Sequence, residues 1–175
     1  MSAAAPFAAM PRVDAVWRHP RYQEELARIE RLEQEREFCR HGLPHLLDVA
    51  RLAWIVNLEE GLGLARDCVY AAALLHDIGR GVQAACGVPH DEAGARLAAE
   101  ILGTVEPDQQ FSSKEQEQIV EAVRGHRGHG ADTASESALA RALVLADHAS
   151  RACYACAARD ACHWSDEEKN LTVRC

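Results

Sequence analysis

The run Ala71-Ala72-Ala73-Leu74-Leu75-His76-Asp77-Ile78-Gly79-Arg80 constrains this chain more than any other stretch. Five apolar residues lead without interruption into a histidine and an aspartate, and a glycine closes the segment. A helix with no polar face cannot lie on a surface, so this run belongs in the interior. The carboxylate at its end is then costly unless a cation, a metal or a hydrogen-bond network meets it. A fold for this chain must therefore bring polar partners from elsewhere to the inner end of one buried helix.

The rest of the sequence offers helices to do so. Ala, Leu, Glu and Arg dominate, while aromatics and β-branched runs are sparse, which favours helix over strand. The periodicity predicts an all-α bundle of about six helices with no internal repeat. Residues 1–19, rich in Ala and Pro, are expected to be loosely ordered, 20–152 to form the domain, and 153–175 to be a short cysteine-rich segment. From Pro20, Tyr22, Leu26, Ile29 and Leu32 make a narrow apolar stripe on a charged helix. A second helix starts near Pro44 and places His45, Val49, Leu52 and Val56 on one face. The third, about 64–78, carries the opening run, and a loop containing Pro89 follows it. His90 opens the fourth. Ser112 with Glu115 has the spacing of a capping box for the fifth, which sets Ile119, Val123 and His126 on one side. The sixth, about 135–152, aligns Leu139, Leu143 and Asp147.

Five helices thus each present a metal-type residue on or beside a buried face: His45, His76 with Asp77, His90, His126 and Asp147. Any one of them alone reads as an ordinary core residue. Together they point to a metal site built of imidazole and carboxylate, donors that suit iron, manganese or zinc better than magnesium. His41, ahead of the helix, and His129, beyond Gly128, are poorer candidates, and His148 lies about 100° around the helix from Asp147.

Charge and cysteine content narrow the partners. A formal charge of −8 argues against a polymeric nucleic-acid ligand, which is held by cationic contacts to phosphates. It leaves room for a small anion held by local arginines. No stretch has the length of a membrane span, and the start lacks the pattern of a signal peptide, so a cytoplasmic location is expected. Thiols or metal ligands are then expected rather than disulfides. Cys153, Cys156 and Cys162 have the spacing of a zinc or iron–sulfur loop. Cys39 lies six residues before His45, and Cys153 six after Asp147. Antiparallel helices sharing a metal would bring both to one end, which makes Cys39 the attractive fourth ligand. His163, His41 and Cys175 are the others, and free thiols in a loose tail are the alternative. Cys68 and Cys86 read as ordinary core or loop residues.

The order His45, His76-Asp77, Asp147 on successive helices resembles the HD-domain metal-dependent phosphohydrolases, over residues 40–151. His90 and His126 resemble the extra ligands of two-metal members. The segments His90-Asp91-Glu92-Ala93-Gly94-Ala95 and Val144-Leu145-Ala146-Asp147 are similar to the bacterial HD-type hydrolases of diadenosine tetraphosphate. The chain departs from those enzymes after Asp147, where it runs into the cysteines. The resemblance implies one metal held by His45, His76, Asp77 and Asp147 and a second held by His90 and His126, with Asp77 bridging. Iron is the first expectation, manganese or zinc the next. A hydroxide between the metals would attack the phosphate of a nucleotide or dinucleotide, with Asp77 and Arg80 in the catalytic machinery. Arg80 stands where relatives carry lysine, and Arg127 and Arg151 are further phosphate-binding candidates. Two other functions fit the same ligands: a noncatalytic ligand or redox sensor, and an HD-type di-iron oxygenase. The sequence leaves the oligomeric state open.

Overall fold

The computed structural model describes residues 8–127 and 137–173. Among these residues it is all helical, with eight α-helices and three short 3-10 turns. In chain order they are α1 (Pro11–Arg18), α2 (Pro20–Leu32), α3 (Leu43–Glu59), α4 (Arg66–Leu75), α5 (Arg80–Cys86), α6 (His90–Thr104), α7 (Ser113–Gly125) and α8 (Ala138–Ala149).

The centre of the bundle is α4. Cys68, Val69 and every residue from Ala71 to Leu75 are buried on it, so it has no solvent face to lose. It packs against α3 and α7, and α8 closes the ring by packing on both of those. Helix α6 lies along α7, α5 lies against α6, and α2 covers α5. The helix ends follow local chemistry. Pro44 occupies the first turn of α3, the Ser112–Glu115 capping box starts α7, and the Ser137 hydroxyl accepts the Ala140 amide at the start of α8. Gly87, at φ 74°, ends α5 in the left-handed conformation that glycine adopts without strain.

Three expectations need correction. Part of the stretch expected to be loose is a helix. Pro11 starts α1, Val13 and Val16 are buried on it, and Arg12 reaches Asp67 (2.6 Å) and Glu115 (2.9 Å) while lying over the Phe111 ring. Residues 1–7 lie outside the described part. The expected loop before Pro89 contains helix α5. The α2 stripe also differs. Leu32 is 56% exposed, because α2 ends there and Glu33 turns back towards His41. Glu25 is buried in the stripe instead, with Arg21 at 3.1 Å and Arg28 at 3.8 Å balancing its charge. On α3, Leu52 and Val56 are only half-buried, and the inward face is set by Leu46, Val49, Ala50 and Ala53 beside His45.

One contact decides where α6 can lie. A Cβ on Gly79 would collide with the backbone of His90 and Gly94, so the turn after Asp77 and the start of α6 touch main chain to main chain. That approach puts His90 next to Asp77.

Candidate metal centre

His76 and Asp77 sit in the turn just past α4, wholly or almost wholly buried. His126 caps α7, His90 opens α6, His45 lies in the first turn of α3, and Asp147 lies in the last turn of α8. The helix ends therefore converge at one end of the bundle.

Each histidine is held by its Nδ1 and turns Nε2 inward. His76 Nδ1 donates to the Ala73 carbonyl at 2.7 Å and His126 Nδ1 to the Val123 carbonyl at 2.6 Å, each reaching back to the turn it follows. The Gln83 side-chain oxygen accepts from His90 Nδ1 at 2.6 Å and from the His90 amide at 3.2 Å. His45 Nδ1 meets Ser150 Oγ at 3.2 Å. Carbonyl oxygens only accept, so the protons of His76, His90 and His126 sit on Nδ1 in the neutral rings, and their Nε2 atoms carry lone pairs. Such partners fix both tautomer and ring orientation for metal binding.

Asp77 lies between the rings. Its Oδ2 is 3.3 Å from His76 Nε2 and 3.5 Å from His45 Nε2. Its Oδ1 is 3.4 Å from His90 Nε2 and 3.7 Å from His126 Nε2. One oxygen thus faces each pair of histidines. Asp147 Oδ1 approaches His45 Nε2 at 3.3 Å and His76 Nε2 at 4.0 Å. The donors form two triads, His45–His76–Asp147 and Asp77–His90–His126, each with its ligand atoms within 4.8 Å of one another. Two His/Asp clusters joined in this way are consistent with a binuclear metal site.

The residues fit such a group on their own evidence. His76 Nε2 and both oxygens of Asp77 are buried without a hydrogen-bond partner, a cost that proteins rarely leave uncompensated. His90 Nε2 and His126 Nε2 stand 3.2 Å apart, and in the neutral rings, with both protons on Nδ1, they face lone pair to lone pair. A cation between them removes both problems.

The electrostatics keep His45, His90 and both carboxylates in ligating form. Burial, with the Arg151 charge beside it, pushes the His45 imidazole down to about 4, and burial with Arg80 does the same to His90, also to about 4. Both are neutral near pH 7. Burial opposes ionisation of Asp77 and Asp147, yet the surrounding imidazoles hold Asp77 well below the usual carboxylate range, and His76 with Arg151 holds Asp147 below it. For His76, burial disfavours the charged ring, but the Asp77 and Asp147 charges raise it overall.

The three arginines singled out by sequence lie on the wall of one cavity of about 1010 Å³ that opens over this centre. Arg80 Nε stands 2.7 Å from Asp77 Oδ1. Arg151 is buried, with Nη2 2.8 Å from Asp147 Oδ1 and 3.2 Å from His45 Nε2. Arg127 is more open, with Nη1 3.8 Å from Asp91 Oδ1. The wall also gathers Arg36, Arg40, Arg159 and Lys169, so seven of the chain's 19 basic residues face it, against the acidic Glu37, Asp48, Asp147 and Glu168. A chain of net negative charge thus presents a cationic cavity.

Cys39, Cys153, Cys156 and Cys162 line the same cavity, with Cys153 buried and the others half-buried. No three of their sulfurs lie within 4.8 Å of one another. Cys68 is buried, donates to Glu115 at 3.5 Å and is pushed up to about 12 by burial and that carboxylate, which makes it a poor nucleophile or ligand. Cys86 is exposed and hydrogen-bonds its own helix. His148 lines the same cavity and stacks on Trp164, with ring centroids 5.2 Å apart. His129 and Cys175 fall outside the described residues.

Sequence reasoning missed three supports. Gln83 lies on a helix read as a loop, and Ser150 has no distinguishing pattern. His41, set aside as lying outside the helix, is buried and locked to Glu33, whose oxygens take its amide at 2.6 Å and its Nδ1 at 2.7 Å. Its ring stands 5.5 Å from that of His45, edge to face. No periodicity links Glu33 to His41, since an irregular connector brings them together.

Comparison with known proteins gives a consistent picture. The family model described as "HD domain" matches residues 42–152. An uncharacterized protein of Clostridium beijerinckii is 37% identical over 164 residues, covering 94% of this chain and 99% of that protein. Ribonuclease Y of a Sulfurovum species is 30% identical over 133 residues, 76% of this chain but 23% of that enzyme. Among solved structures, a predicted HD superfamily hydrolase from an uncultured Thermotogales bacterium matches with a TM-score of 0.54 and 26% identity, over 78% of this chain and 71% of that one.

Proposed function

The chain belongs to the HD-domain family, and from that premise we propose that it is a phosphohydrolase that uses two divalent transition metals to cleave a nucleotide or dinucleotide phosphate ester or anhydride. The observation that carries this reading is the placement of Asp77, with one oxygen towards each pair of inward-facing imidazoles. His45, His76, Asp77 and Asp147 would hold one metal, and His90, His126 and Asp77 the other. Bound there, the pair would acidify a water and neutralise phosphate oxygens, the two tasks that phosphate hydrolysis requires. Imidazole and carboxylate donors suit iron, manganese or zinc, and the resemblance to two-metal relatives puts iron first.

The chain's own residues do the rest. The α3, α6 and α8 helix ends keep the ligands rigid, and burial keeps His45 and His90 unprotonated. Arg80, fixed against Asp77, Arg127 at the open side and Arg151 beside Asp147 are placed to bind phosphate oxygens. A wall with seven basic side chains suits a substrate with several phosphates better than a monophosphate.

A phosphate-release screen tests the reading, run over nucleotides, dinucleoside polyphosphates and a short single-stranded RNA with iron, manganese, zinc and magnesium in turn. Turnover of a small phosphate substrate, lost in Asp77→Asn, is the expected result. No release from any substrate with any metal would overturn it, and turnover confined to RNA would replace the substrate class.

A further inference from the structure

The stretch from Cys153 to Asn170 poses a packing problem. It contains only two three-residue 3-10 turns, and Cys153, Ala158 and Asn170 are its only buried residues. A segment with so little core is ordinarily held by a crosslink or a metal. Its ends are tied down: Asn170 donates to the His148 and Arg151 carbonyls at 2.7 and 3.0 Å, and Trp164 stacks on His148. Between them, the stretch from Cys156 to Cys162 buries only Ala158.

The facing segment, residues 33–42 between α2 and α3, is equally irregular and carries Cys39. Just ahead of the C-terminal segment, Arg151 Nη1 approaches the Arg40 carbonyl of that connector at 3.5 Å, and the Cys153 amide donates to the Arg151 carbonyl at 2.9 Å. Cys39 adjoins Arg40 and Cys153 lies two residues from Arg151 in the chain, and all four cysteines line one cavity. Tight turns order the other two, since the Cys156 amide reaches the Cys153 carbonyl at 3.2 Å and the Cys162 amide the Arg159 carbonyl at 3.3 Å.

We propose that Cys39, Cys153, Cys156 and Cys162 form a four-thiolate centre for an iron–sulfur cluster that pins the C-terminal segment to the α2–α3 connector over the mouth of the His/Asp site. Three closely spaced cysteines with a remote fourth are a ligand pattern of such clusters. The sulfurs do not stand at the spacing of a single zinc site. Zinc bonded to sulfur at about 2.3 Å would hold its ligands about 3.8 Å apart, whereas no three of these sulfurs lie within 4.8 Å. Arg36, Arg40 and Arg159 on the same wall favour a cluster of net negative charge.

The test uses the full chain, produced and purified without oxygen, and reads acid-labile sulfide, iron and visible absorption. The expected result is sulfide with a charge-transfer band in the visible. Sulfide should be lost in Cys39→Ser and Cys156→Ser, retained in Cys68→Ser, and retained in Asp77→Asn, which disables the His/Asp site. Because sulfide does not come from that site, the outcome is independent of whether the chain hydrolyses phosphate. A wild-type chain without sulfide, whether its four thiols are free or hold zinc, overturns the proposal, and so does sulfide that survives in both cysteine variants.

Discussion

His45, His76 and Asp147 share their space with a cation that the chain itself supplies, while His90 and His126 meet nitrogen to nitrogen. Arg151 lies within 2.8 Å of Asp147 and 3.2 Å of His45, and it competes for the atoms that a metal would use. In the other half Arg80 balances Asp77 from the cavity side, but the two imidazole lone pairs remain opposed at 3.2 Å. The first half is charge-compensated before any metal arrives. Both halves hold buried atoms whose cost binding would relieve, but a metal in the first must also displace Arg151, so the second is expected to take the first metal. Halves built from the same residue types thus differ in what they gain from a metal.

The largest expected effect comes from the residue that both halves share. Asp77→Asn removes the bridge and should lower kcat by roughly 10³-fold or more while depleting both metals. Steady-state kinetics with metal analysis checks this, and a variant that kept one full metal would show that the halves are independent. Next is Gly79→Ala, which cannot be accommodated against the His90 and Gly94 backbone. It should cost about 3 kcal/mol or more of stability, read by thermal unfolding, with the His90 half losing its metal first.

Gln83→Ala frees the His90 ring and should weaken metal binding in the second half by about 10–100-fold. Ser150→Ala, its counterpart on His45, should do less, because its contact is 3.2 Å against 2.6 Å. Calorimetric titration of each variant would rank them. Arg151→Met should raise KM several-fold while leaving first-half metal affinity equal or higher. A fall in that affinity would make Arg151 a support of the site and not a competitor.

The smallest effect is one of pH. His45 and His90 are each held down to about 4 from an ordinary value of 6.5. Below that ordinary value the unfolded chain binds protons that the folded chain refuses, so stability of the metal-free protein should fall as pH drops from about 6.5 towards 4. Urea unfolding across that window checks the sign. A flat profile would mean that both rings titrate normally.

Much of the centre was legible because its residues end apolar stripes. His76-Asp77 after Ala71–Leu75, and Asp147 after Leu139 and Leu143, stand where burial is predictable from spacing alone. The fold class was legible for the same reason, since the periods are helical throughout. Helix α5 was not, because seven residues between two glycines leave little periodicity to read. Arg12, which ties α1 to Asp67 and Glu115, and Glu33, which holds His41, act through contacts between elements. Such contacts leave no trace in local spacing. The exposure of Leu32 shows the converse, since a correct stripe cannot tell where its helix leaves the core.

The claim at the centre of this account is that one buried aspartate joins two metal sites. Titration of the metal-free chain with Mn²⁺, followed by electron paramagnetic resonance, tests it most directly, because manganese prefers imidazole and carboxylate to the cysteine thiols. About two spin-coupled ions per chain, reduced to uncoupled or absent manganese in Asp77→Asn, is the predicted result. Weak, uncoupled binding in the wild-type chain, unchanged by Asp77→Asn, would contradict it.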